Sequence, residues 1–138
     1  MPLPGLDLGD LRDSFADERG SRLHEALDVL APRGTPVLAV DDGRVVKFFE
    51  SRAGGLTAYQ FDPTETYCYY YAHLDRYAEG LTEGMILRKG DPIGAVWTTG
   101  NAPPETPHLH FAIFKLGPEK QWWRGAPINP YAVLAASK

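Results

Sequence analysis

The apolar positions of this chain fall into short runs, each cut off by Gly, Pro or Asp. "TPVLAV" (35–40) is the first strong run. "DDG" then turns the chain and "RVVKFFES" (44–51) returns, which predicts a hairpin between the two. "AGG" (53–55) precedes "LTAYQF", and "DPTE" (62–65) leads into "TYCYYYAHL", whose tyrosine density suits a strand far better than a helix. "EGMILRKGDPIGAVW" holds two apolar runs split by "KGDP", a further turn. "GNAPPETP" (100–107) is loop, because three prolines in eight residues exclude a helix or a central strand. "HLHFAIFKL" alternates cleanly as a strand, and "APINPYAVLAASK" closes the chain as a loop with one helical turn. The pattern predicts a mostly β fold with little helix: a compact antiparallel β-sheet of barrel-sandwich type, with roughly six to eight strands.

Composition narrows the picture. A length of 138 residues suits one domain with one core, with residues 1–19 as an irregular N-terminal extension and the core at about 20–134. A net charge of −4 without a basic run gives no support for nucleic-acid binding. Cys68 is the only cysteine, so no internal disulfide forms. No apolar window reaches the roughly 18 residues that a membrane span needs. The segment "MPLPGLDLGDLRDSFADERG" carries Asp7 and Asp10 and lacks an apolar h-region, so it is not a signal peptide. Two origins fit: a cytoplasmic protein, or a domain of a longer secreted or anchored precursor.

The four histidines carry the chemistry. In "HLHF", His108 and His110 sit two apart on a strand and project to one face, with Leu109 on the other. Two neighbouring imidazoles are costly as core residues, since each brings a donor and an acceptor and their charged forms repel. A shared metal, or a metal beside an acid/base, resolves that cost. His24 and Asp28, in "RLHEALD" (22–28), lie four apart. That spacing puts them on one face of a helix and also on one face of an extended segment, although local propensity favours helix. His73 closes the tyrosine-rich strand; alone it would suit a hydrogen-bonded, partly buried role. Taken together, two histidines and a carboxylate make a three-ligand zinc site with an open fourth position. Two histidines then remain for proton transfer and charge stabilisation.

These motifs resemble the lysostaphin-type (LytM-like) zinc metallopeptidases of bacterial peptidoglycan. Their pattern is HxxxD, commonly HxGxD, then a lone histidine in an "AHL" segment, then HxH. Here it reads "HEALD" (24–28), "YYYAHLDRY" (69–77) and "HLHF" (108–111), with similar intervening text over about residues 20–134. The resemblance implies that His24, Asp28 and His110 bind one zinc ion and that His73 and His108 flank the attacking water as catalytic residues. Ala26 stands where the family commonly has glycine; this removes no ligand. The implied reaction is metal-assisted amide hydrolysis, in which one catalytic histidine moves the water's proton and the other hydrogen-bonds the tetrahedral oxyanion.

The implied substrate is a peptidoglycan peptide, bound in a groove over the sheet face that carries the HxH pair. The "ESRAGG" turn, the "TTGNAPPETP" loop and the Tyr69/Tyr71 face are its walls, with Tyr71, Thr99 and Asn101 as substrate contacts. Tyr71 shares a face with His73 if the strand is regular, though packing also accounts for these tyrosines. Trp122 and Trp123 could contact glycan or peptide, or pack against the barrel end. The resemblance further implies a monomer in the periplasm or at the cell wall, with a regulatory partner or an N-terminal anchor outside this chain. It leaves the bond open among pentaglycine bridges, stem-peptide bonds and D,D cross-links, with a slight preference for the last.

Two rivals remain. "HEALD" is one residue from HExxH, in which Glu25 would be the general base, but that reading leaves His73 and the HxH pair unexplained. The hairpin-like "PVLAVDDGRVV" and "RKGDPIGAV" look like biotinyl or lipoyl carrier domains, but the "DDG" tip lacks the modifiable lysine. A non-catalytic LytM-like binding or regulatory module is the stronger alternative without enzyme activity.

Overall fold

A computed structural model describes residues 2, 18–19, 22–23, 27–51, 54–96, 108–122 and 125–130. The elements among them are all strands: β1 (Glu18–Arg19), β2 (Arg22–Leu23), β3 (Leu27–Leu30), β4 (Pro36–Leu38), β5 (Gly43–Ser51), β6 (Gly55–Phe61), β7 (Tyr67–Tyr77), β8 (Ile86–Leu87), β9 (Pro92–Val96), β10 (His108–Leu116) and β11 (Gly125–Ile128). β1 and β2 form a two-stranded ribbon, and the other nine form one antiparallel, curled sheet in the order β11-β10-β7-β6-β5-β8. β3 pairs with β10, and β9 pairs with both β4 and β7. The mostly β, antiparallel expectation holds. The closing helical turn falls largely on residues 131–138, outside the described residues.

The main core lies on one face of this sheet. Alternate residues of the long strands (Val45, Ala58, Tyr69, Tyr71, Leu109, Phe111, Ile113) meet Val37 of β4 and Ile93 and Val96 of β9. Val37, Tyr71, Val96, Leu109 and Phe111 are all fully buried, and shielding apolar area of this kind is the main stabilising term. A smaller cluster of Phe61, Cys68 and Leu116 packs on the opposite face with Tyr59, Phe114 and Trp122 against it. Trp122 therefore serves in packing: its ring sits 4.7 Å from Tyr59 and 5.7 Å from Phe49. Trp123 lies outside the described residues.

The hairpin expected at "DDG" does not form. β4 pairs with β9, whereas β5 pairs with β6 and β8. The segment after β4 is pinned to the 88–91 turn, where Ala39 N–H donates to Asp91 O, Gly90 N–H to Ala39 O and Lys89 N–H to Asp42 Oδ1. The chain then bends at Gly43, with φ 153° and its α-carbon against the Phe61 carbonyl, where a β-carbon would collide. The real hairpin is β5–β6, with Ser51 opposite Gly55. Turn residues alone were compatible with either pairing; the long-range partners of β4 and β5 differ from the one that the local pattern suggested.

Candidate metal and catalytic site

The site is built on β10 and its two neighbours. β3 runs antiparallel to β10 with Asp28 opposite His110, Val29 opposite Leu109 and Leu30 opposite His108. Opposed residues share a face, so Val29 and Leu109 enter the core while Asp28, His108 and His110 emerge together on the other side. The Asp28 end of "HEALD" is thus strand, and the pull of local helix propensity is overridden by pairing to β10. His24 and Glu25 lie outside the described residues.

On the other edge of β10, β7 brings in His73. β10 pairs with β7 as far as His110 opposite Ala72, and β9 takes over that edge with Val96 opposite Leu74. His73 sits at the handover. Between Tyr71 and Leu74, β7 also carries one residue more than β6, whose Ala58 and Leu56 oppose those two positions. The extra residue is accommodated as a bulge, with His73 at φ 62°, a left-handed conformation uncommon for a residue with a β-carbon. This breaks the alternation, so Tyr71 and Leu74 both point into the core while the His73 ring turns to the site face.

The resulting cluster is tight. His110 Nδ1 lies 3.1 Å from Asp28 Oδ1, and His108 Nε2 lies 3.7 Å from the same oxygen. The His73 ring centroid is 5.1 Å from that of His108 and 5.6 Å from that of His110. His73 and His108 are the deeper pair, 5% and 8% exposed, while the side chains of His110 and Asp28 are 24% and 25% exposed. Three imidazoles and one carboxylate share this face, one of them on a strained backbone. Strain of that kind is retained where the surroundings enforce it, and active sites are such places.

The donor set fits zinc as far as it is described. Two ligand atoms about 2.0–2.1 Å from a tetrahedral zinc lie about 3.3 Å from each other. The 3.1 Å between Asp28 Oδ1 and His110 Nδ1 is close to that. Among the described residues, no group of three His, Cys, Asp or Glu side chains is arranged to hold a metal ion. Asp28 and His110 supply two members, and His24, the third that the resemblance implies, is outside the described set.

The expected substrate contacts need correction. Tyr71 is fully buried; its hydroxyl donates to Gln60 Oε1 at 2.8 Å and accepts from Val40 N–H at 3.1 Å. Tyr69 also faces the core, donating to Asp41 Oδ2 at 2.9 Å. Both belong to a buried polar network that Gln60 Nε2 extends to the Asp41 carbonyl, and burial pushes both phenols well above their ordinary pKa. The Tyr69/Tyr71 face is therefore no groove wall. Tyr70 is on the site face instead, with its ring edge-on to His110 at 6.0 Å and stacked on Tyr59 at 4.9 Å. Burial and the nearby Cys68 push the Tyr59 phenol up to about 12. Tyr70 went unnoticed in the sequence, although it sits two residues from Ala72, the partner of His110. Thr99, Asn101 and the whole Pro-rich loop lie outside the described residues.

Comparison with known proteins identifies the family and the fold. A model of peptidase family M23 matches residues 22–130. An L-Ala–D-Glu endopeptidase from Bacillus subtilis is 34% identical over 99% of this chain and 43% of its own length. A DD-carboxypeptidase/endopeptidase Mpg from Neisseria meningitidis is 35% identical over 81% of this chain and 23% of its own. The chain thus spans less than half the length of these relatives. Among solved structures, Helicobacter pylori Csd3 superposes with a TM-score of 0.71 at 27% identity, over 96% of this chain and 32% of that one. The catalytic domain of lysostaphin from Staphylococcus simulans shares the fold, with a TM-score of 0.76 at 22% identity over 93% and 95% of the two chains. The chain belongs to peptidase family M23, a family of peptidoglycan metallo-endopeptidases.

Proposed function

We propose that this domain is a zinc-dependent endopeptidase that hydrolyses peptide bonds of bacterial peptidoglycan. The supporting observation is the convergence of Asp28, His73, His108 and His110 on one sheet face, from three strands distant in sequence. His24, Asp28 and His110 would hold the zinc, which supplies Lewis acidity for the scissile carbonyl and acidifies water towards neutral pH. His73 and His108, the deeper pair, do the proton work. One accepts a proton from the attacking water and returns it to the leaving amine; the other donates an N–H to the developing oxyanion. Their burial limits competing water around the reacting atoms, which strengthens both interactions.

The named relatives divide between an L-Ala–D-Glu stem bond and DD bonds. The substrate class here is accordingly the peptide part of peptidoglycan, with the D,D cross-link as the slight preference. Such a substrate places the domain outside the cytoplasmic membrane, in the periplasm or at the cell wall. No helix among the described residues is long and apolar enough to cross a membrane.

The test is digestion of defined muropeptides, cross-linked and uncross-linked, with products read by mass spectrometry. New amine termini that disappear in His73→Ala and His108→Ala support the proposal. Absence of bound zinc together with absence of cleavage would favour the regulatory module instead.

A further inference from the structure

Gly54, between β5 and β6, touches the histidine cluster. His73 N–H donates to the Gly54 carbonyl at 2.9 Å, a bond outside the regular ladder that ties down the residue with the left-handed backbone. Gly54 is itself held by its N–H to Ser51 Oγ at 2.9 Å. Its α-carbon faces the Tyr70 hydroxyl. A β-carbon there would lie 2.5 Å from Tyr70 Oη, 2.9 Å from Thr57 Cγ2 and 3.1 Å from Ser51 Oγ. Tyr70 has little freedom to yield, being stacked on Tyr59 and set edge-on to His110.

We propose that Gly54 is a positioning residue for His73. Its carbonyl fixes the left-handed backbone that turns the His73 ring towards His108 and His110, and its missing side chain leaves the space that Tyr70 occupies. A methyl group at this position must displace either Tyr70 together with the buried Thr57 methyl, or the turn. Because Tyr70 is locked by its neighbours, the turn moves and carries the carbonyl away from His73. The role rests on the catalytic reading of His73 given above. A misplacement of about 1 Å at a catalytic group costs on the order of 100-fold in rate.

The test is a double-mutant cycle on zinc-replete protein with two readouts, muropeptide turnover and hydrogen exchange of the His73 amide. Gly54→Ala should lower kcat about 10- to 100-fold with KM within about twofold, and His73 amide protection should fall. In a Tyr70→Phe background, where removal of the hydroxyl relieves the tightest of these three contacts, the same substitution should cost at least about fivefold less and protection should recover in part. That background also keeps the test valid if Gly54→Ala alone folds poorly. Full turnover with an unchanged amide in Gly54→Ala overturns the proposal, as does an equal loss in both backgrounds. Full turnover in His73→Ala would instead remove the catalytic reading, while amide exchange would still report whether Gly54 holds His73.

Discussion

β10 and β7 lie side by side and together carry three of the four histidines, yet they build their share of the site in opposite ways. β10 is regular. Its alternation places His108 and His110 on one face and Leu109 and Phe111 on the other, and β3 follows that register with Asp28 opposite His110. β7 is irregular at the point that matters, where it exchanges β10 for β9 as its neighbour and accommodates an extra residue at His73. A regular strand can present a pair of side chains two residues apart. A third ring, from an adjacent strand whose own alternation would bury it, reaches the same face only through a bulge.

Four substitutions probe this contrast. The largest effect should come from the regular strand: His108→Ala lowers kcat about 10²- to 10⁴-fold without loss of zinc, measured by turnover and metal analysis. Tyr71→Phe tests the assignment of Tyr71 to the core, because it leaves the Val40 N–H and Gln60 Oε1 without their buried partner. It should cost about 1–3 kcal/mol in denaturant unfolding with KM unchanged, whereas a raised KM at full stability would return Tyr71 to the substrate groove.

The far end of β7 provides a control remote from the bulge. The Asp62 carboxylate caps the turn into β7, accepting from the backbone N–H groups of Thr64, Thr66 and Tyr67 and from the Thr64 hydroxyl. Desolvation opposes ionisation there, but these hydrogen bonds outweigh it and hold the carboxyl below its ordinary range. A depressed folded-state pKa contributes stability that is fully present above the unfolded value and is lost as pH falls through the folded one. Asp62→Asn should therefore cost about 1 kcal/mol at neutral pH, and the gap to the wild type should close in acid, as followed by urea unfolding across pH. The smallest effect is expected at Glu25, where alanine should leave turnover within about twofold. A collapse of activity there would revive the HExxH reading.

How much of this was legible in the sequence follows the same division. The strand over 108–116 and the shared face of its histidines could be read directly, because one period governs the whole element. The strand over Tyr67–Tyr77 was also apparent, but the face of Tyr71 relative to His73 was not. That depends on a bulge imposed by the exchange of partner strands, which no local pattern records. The "DDG" turn misled for a related reason: its residues permit a hairpin, but the edges of β4 and β5 are taken by other strands, β9 for the first and β6 and β8 for the second. Asp28 was legible as a candidate ligand by residue type and spacing, while its strand conformation came from β10 rather than from its own neighbours. Gly54 and Tyr70 gave no signal, because their significance lies in a contact between a turn and a strand face.

The central claim, that Asp28 and His110 hold the metal while His73 and His108 act beside it, is tested most directly by zinc stoichiometry in purified, untagged variants. One zinc per chain is predicted for the wild type, for His73→Ala and for His108→Ala, with strongly reduced zinc in Asp28→Ala and His110→Ala. Full zinc occupancy in Asp28→Ala, or its loss in His108→Ala, would contradict the account.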